Sequence, residues 1–151
     1  MKFILAALTV FLTTINVSAQ SAEDSVKTTI NNLFTAMKNA DQALFKTVFS
    51  DGAILQTIGR DKEGKTLVTS ESIQEFGEFI GKLKKDSADE RISFETVKID
   101  GPLAIAWTPY NFYYNGKFSH CGVNSFQLVR INDAWKIQYI IDTRRRTGCK
   151  Q

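Results

Sequence analysis

Histidine occurs once in these 151 residues, as His120, and cysteine twice, as Cys121 and Cys149. One histidine and two distant cysteines do not give metal-ligand spacing, so no metal is expected. No phosphate-cradling glycine motif is present, and no cofactor is expected. No Gly-x-Ser-x-Gly, and no Cys/His pair of recognisable spacing, points to nucleophilic catalysis. Internal repeats and low-complexity segments are absent. The formal net charge is only +3, with Lys2 in a segment expected to be removed. Such a near-balanced chain gives no reason to expect nucleic acid as a partner. The Arg144-Arg145-Arg146 run with Lys150 is a local basic patch, either a solvated face or a contact for an anion.

Only one long apolar run exists, Phe3 to Ile15, and it is too short to span a bilayer comfortably. Lys2 precedes it and Val17-Ser18-Ala19 follows, which reads as a signal peptide over residues 1–19 with cleavage after Ala19. No cysteine follows the run, so a lipid anchor is not expected. The mature chain, 20–151, is expected to be exported, periplasmic or secreted, and free of the membrane. Its 43% hydrophobic and 23% charged residues suit one globular domain.

Val26, Ile30, Leu33, Phe34 and Met37 recur at helical spacing, with Asp24 or Ser25 as cap. Asp41 caps a shorter second helix, with Leu44, Phe45, Val48 and Phe49 on its apolar side. Ala53 to Ile58 reads as a short strand. Leu67 and Val68 either add a brief strand or lead into the next helix. Ser72-Ile73-Gln74-Glu75 fits a capping box, and the helix it opens carries Gly77 and Gly81 one turn apart, as for close packing against a sheet. Lys84 to Glu90 reads as a polar loop. Arg91 to Ile99 reads as one strand bulged near Glu95-Thr96.

Leu103 to Asp142 organises the chain: three long strands joined by turns at Asn115-Gly116 and Asn132-Asp133. Two-residue loops at both turns put Leu103, Ile105, Trp107, Asn111, Tyr113, Phe118, His120, Asn124, Phe126, Leu128, Trp135, Ile137, Tyr139 and Ile141 on one face. Tyr110, Phe112 and Tyr114 then fall on the outer face as an interface stripe, which points to a homodimer. In this register Asp142 opposes Val123 on the outer face, unless a bulge near Thr143 turns it inward. Cys121 lies opposite Arg144, close enough for the tail to bring Cys149 back to it. A disulfide is one reading and two free thiols the other.

An apolar floor with a few convergent polar groups is the usual make-up of a small-molecule pocket. The expected pocket residues are Trp107, Asn111, Tyr113, His120, Asn124, Tyr139 and Arg145, with Arg145 at the mouth, and the expected ligand is small and apolar or aromatic. The polar groups are also open to a reading as satisfied core residues or as residues at the solvated end of the sheet. For catalysis, His120 or Asp142 would transfer the proton. The register places no acid on the pocket face of the last three strands.

The order of helices and strands is that of an α+β domain. It resembles the nuclear transport factor 2-like superfamily, carried by the Asp41 helix start, the Phe49-Ser50-Asp51-Gly52-Ala53 approach to the first strand, and Trp135-Lys136-Ile137 after the Asn-Asp turn. Phe118-Ser119-His120-Cys121-Gly122 and the ending Asp142-Thr143-Arg144-Arg145-Arg146 with Cys149 are similar to the exported lumazine-binding and SnoaL-like group. The resemblance implies a cone-shaped fold with N-terminal helices packed on a curved, mostly antiparallel sheet around a pocket. It also implies three function classes: a ligand-binding domain, a lyase or isomerase of the SnoaL/ketosteroid-isomerase type, and a dimeric interaction module.

Overall fold

A computed structural model describes residues 21–149. The expected leader with its cleavage site, and Lys150 of the basic patch, lie outside these residues. None of the described helices is long and apolar enough to cross a membrane.

The first helix, α1, runs Ala22–Asn39. Its cap is Ser21 rather than Asp24 or Ser25: the Ser21 hydroxyl accepts from the Asp24 amide at 3.0 Å. Glu23 and Asp24 then sit in the first turn, where the helix dipole favours acids. The expected stripe Val26, Ile30, Leu33, Phe34 and Met37 is buried. Asp41 caps α2, Gln42–Thr47, accepting from the Leu44 amide. Ser72 caps α3, Ile73–Lys82, accepting from the Glu75 amide at 3.3 Å. Gly77 and Gly81 do allow close packing, but against α2 and not the sheet. A Cβ at Gly77 would stand 3.1 Å from the Phe45 ring, and one at Gly81 3.1 Å from Gln42.

Seven strands form one sheet: β1 Phe49–Arg60, β2 Thr66–Glu71, β3 Ala88–Ile92, β4 Thr96–Asp100, β5 Leu103–Tyr114, β6 Lys117–Ile131 and β7 Ala134–Arg145. The order is β2-β1-β7-β6-β5-β3, with β4 also on β5; β1 and β7 run parallel and every other pair is antiparallel. The helices cover one face, where Phe34, Phe45, Ile80, Phe126, Leu128 and Ile137 share the core. This is the α+β arrangement expected, with two strands more than the sequence suggested. Glu90, expected in a loop, lies inside β3. The supposed bulged strand is two strands, β3 and β4, which pair with different halves of β5.

Both tight turns form where expected, with positive φ at Asn115, Gly116, Asn132 and Asp133. The register beyond them differs from the expectation. Tyr113 pairs with Phe118, but Phe112 pairs with His120, so Ser119 is an extra residue in β6. Leu128 pairs with Ile137, but Gln127 pairs with Tyr139, so Gln138 is an extra residue in β7. Each bulge shifts the pairing by one residue, and in a sheet one residue inverts the face. The face assigned to β6 therefore stands from His120 onward, Phe118 and the whole of β5 are inverted, and β7 is inverted from Tyr139 onward. Ala104 and Ala106 are buried, while Leu103, Ile105 and Trp107 face outward at 46%, 40% and 46% exposure.

Candidate functional site

Between the helices and the curved sheet lies a cavity of about 290 Å³. Leu33, Phe34 and Met37 of α1 and Phe76, Phe79 and Ile80 of α3 form its apolar wall. The opposite wall, from the sheet, is mostly polar and aromatic: Glu90, Tyr110, Phe112, His120, Asn124, Asp142 and Arg144. The pairing explains why these meet. Thr57, Asp142, Asn124 and Thr108 form one row across β1, β7, β6 and β5. Glu90, Phe112 and His120 form another across β3, β5 and β6.

Asp142, expected on the outer face, faces inward because of the Gln138 bulge. Both its carboxylate oxygens are occupied. Oδ1 accepts from the Thr57 hydroxyl at 2.5 Å. Oδ2 accepts from Arg144 Nε at 3.0 Å and from the Tyr110 hydroxyl at 3.2 Å. Tyr110 also reaches the Thr143 carbonyl at 2.9 Å. That reach depends on Gly122, the residue paired with Tyr110, because any side chain there would occupy the space of the phenol. Burial, then the charges of Glu90 and Asp142, push the Tyr110 phenol far above its ordinary range.

Glu90 is in a different situation. Oε1 accepts from Asn124 Nδ2 at 2.8 Å, and among the described residues this is its only hydrogen-bond partner. Burial of the carboxyl is the main cause that raises it to about 7; the Asn124 bond opposes the shift and the charge of Asp142 adds to it. His120 stands edge-on to the Tyr110 ring, 5.7 Å away, and 5.0 Å from the Phe112 ring, with Ser119 Oγ 3.1 Å from Nδ1. Burial, then the Arg144 charge, lower its pKa, which leaves the ring neutral at pH 7. At the rim, Glu71 is raised, again chiefly by burial. The wall thus offers one acid that titrates near neutrality, a neutral imidazole, and one carboxylate held by three donors. Among the described residues no group of His, Cys, Asp and Glu could hold a metal ion.

Of the residues read from the sequence as pocket residues, His120 and Asn124 line this cavity; Trp107, Asn111, Tyr113, Tyr139 and Arg145 do not. Trp107 is exposed on the outer face, and Tyr139 donates there to Gln56 Oε1 at 2.7 Å. The Tyr113 ring carries the Arg91 guanidinium at 4.3 Å. Asn111 and Arg145 line a separate hollow on the outer face. Tyr110, Phe112 and Tyr114, read as an outer stripe, line the cavity instead. Cys121 and Cys149 are joined as a disulfide. Glu71, Glu90, Tyr110 and Arg144 are polar residues of the cavity that sequence reasoning missed. The alternation of Ala88, Glu90 and Ile92 was the only available signal for Glu90.

No family model matches this chain, and no curated protein matches it. Solved structures do. A nuclear transport factor 2-like protein of unknown function from Shewanella baltica OS155 superposes with a TM-score of 0.62 at 16% identity, covering 82% of this chain and 94% of that one. A nuclear transport factor 2-like protein of unknown function from Methylobacillus flagellatus KT gives 0.62 at 15% identity, over 84% and 96%. A dehydratase candidate of the same fold family from Streptomyces avermitilis gives 0.59 at 13% identity, over 82% and 95%. At such identities the likeness establishes the fold.

Proposed function

On a nuclear transport factor 2-like fold, we propose that the inner cavity binds a small, largely apolar carbonyl compound and moves a proton on it, as an isomerase or dehydratase does. The observation that carries this reading is the contrast between two acids in one cavity. Asp142 accepts from three side-chain donors, whereas Glu90 accepts from Asn124 alone, keeps one oxygen free and titrates near pH 7. Acid–base chemistry at neutral pH needs a group poised in that way. In this reading Glu90 removes a proton from the carbon beside the carbonyl. His120, neutral and with an N–H to donate, holds the enolate oxygen. Return of the proton to another carbon completes an isomerisation; loss of a β-hydroxyl as water completes a dehydration. Asp142 is the anchor that fixes Tyr110 and Arg144, not the base. The likeness to a dehydratase candidate supports this class.

The test is proton exchange. Small cyclic and aliphatic ketones in D2O are expected to take up deuterium beside the carbonyl when the protein is added. The rate should rise as pH climbs through about 7 and should vanish in Glu90→Gln. Ketones that bind without exchange would leave a binding domain and remove the catalytic part. The disulfide supports export to an oxidising compartment, and placement in the lumazine-binding or SnoaL-like group stays part of the proposal.

A further inference from the structure

The outer face carries a second hollow, of about 380 Å³, that the reading above does not use. We infer that it is a binding site for a small monocarboxylate. Arg91, Asn111, Cys121 and Arg145 lie in one row across β3, β5, β6 and β7. The two arginines stand at the ends of that row, about 14 Å apart at the backbone from three strand spacings, and both line the hollow between them. Pro109 and Val123 add apolar surface, Glu95 stands at the edge, and Gly148 of the disulfide-anchored tail closes one side.

Charge selects the ligand. Arg91 shares the Asp89 carboxylate with Lys38, at 3.0 and 3.3 Å, so that set keeps one positive charge. Stacking over Tyr113 fixes the orientation of its guanidinium. Arg145 has no acid within ion-pair distance among the described residues. With Glu95 opposing, the hollow is left with one net positive charge, which suits a monoanion. A planar carboxylate accepts paired N–H bonds from a guanidinium, and the apolar walls have room for a short hydrocarbon body. The inner cavity, lined by three acids and one arginine, has the opposite sign. Of the basic run noted in the sequence, Arg145 faces this hollow and Arg144 the inner cavity.

NMR titration of the disulfide-bonded protein with benzoate, and with benzamide as its neutral isostere, tests the site. Benzoate is expected to saturate shifts at residues 91–93, 109–111 and 121–123 and to bind about tenfold tighter than benzamide, the worth of one charge-assisted contact. Arg145→Gln is expected to weaken benzoate about tenfold without touching benzamide. Cys149→Ser, which frees the tail wall, should weaken both. Equal binding of benzoate and benzamide would overturn the inference. So would shifts confined to Glu90 and His120, or an unchanged Arg145→Gln variant. Glu90→Gln leaves this titration unchanged, so it stands or falls apart from the proton-transfer reading.

Discussion

Asn124 on β6 and Glu90 on β3 meet at 2.8 Å over the inner face of the sheet, with β5 between their strands. The bond joins an amide in a row of polar residues to a cavity carboxyl that has no other hydrogen-bond partner among the described residues. Burial holds Glu90 at about 7, above its ordinary 4.5, so the folded protein binds this proton more tightly than the unfolded chain. Stability is therefore expected to fall as pH rises from about 4.5 to about 7, and then to level. The loss from this group should be on the order of 2 kcal/mol, less than the full shift because the carboxyl faces an open cavity. Glu90→Gln keeps an acceptor for Asn124 and removes the charge. Urea unfolding between pH 5 and 8 should show that slope in the wild type and lose this component in the variant. Parallel curves for the two proteins would refute the assignment.

Asp142 should behave as a structural anchor. Asp142→Ala leaves Arg144, Tyr110 and Thr57 without their shared acceptor inside a closed wall, and is expected to cost about 3 kcal/mol. Arg144→Ala should cost only about 1 kcal/mol, because Arg144 is half exposed and its loss still leaves Asp142 two hydroxyl donors. Denaturant midpoints of the two variants give the ratio. Equal costs would mean that the ion pair, rather than the hydroxyl donors, fixes Asp142.

Much of this arrangement was legible in the sequence, and what was not has a definite physical cause. Helix stripes and turns are local: Val26 to Met37 and Asn115-Gly116 declare themselves through spacing and positive φ. The extra residues Ser119 and Gln138 carry no such mark. Each is a single polar residue in a strand of alternating side chains, and each shifts the pairing beyond it by one. One-residue bulges turned Trp107 and Tyr139 outward and brought Tyr110 and Asp142 inward. Two consistent turns gave an apparent check on the register, but the bulges lie beyond both turns, where neither can report them. The large apolar residues of β5 added to the misreading, because on this strand the buried parity carries Ala104 and Ala106. Glu90 was hidden for a separate reason: β3 is only five residues long and begins inside a polar stretch.

Gly122 gives a stability test of the Tyr110 position. A Cβ there would stand 2.7 Å from the Tyr110 ring, 2.8 Å from its hydroxyl, and in overlap with the Thr143 carbonyl. The backbone oxygen cannot move without breaking the β6–β7 ladder. Gly122→Ala is expected to cost about 3 kcal/mol, the upper range for overpacking. Gly59→Ala, also in a strand but with nothing within 4 Å of the added atom, should stay within about 0.5 kcal/mol. Thermal midpoints of the pair decide the matter; a tolerated Gly122→Ala would mean that Tyr110 has another place to go.

The Cys121–Cys149 bridge closes a separation of 28 residues and ties the tail to β6. Loop closure of that length should contribute about 3 kcal/mol. Reductant is expected to lower the unfolding free energy of the wild type, read from urea titrations, by that much and to leave Cys149→Ser unmoved. If reduction has no effect on the wild type, the tail is held by contacts other than the bridge.

The outer face, with its register corrected, is also where a second copy is expected to dock. Leu103, Ile105 and Trp107 are each 40% exposed or more on β5. The pairing continues their rows to Tyr139 and Ile141 on β7. Gln127 and Ser125 of β6 lie between these apolar residues, and a two-fold axis would cover the exposed β5 residues of both copies at once. Sedimentation at micromolar concentration should return twice the mass of the mature chain. Trp107→Lys, exposed and remote from the cavity lining, should return a monomer with an unfolding midpoint close to that of the free wild-type subunit. A monomeric wild type would remove the dimer. A dimer indifferent to Trp107→Lys would move the interface to the β2 edge, where Leu67 and Val68 are the next exposed apolar pair.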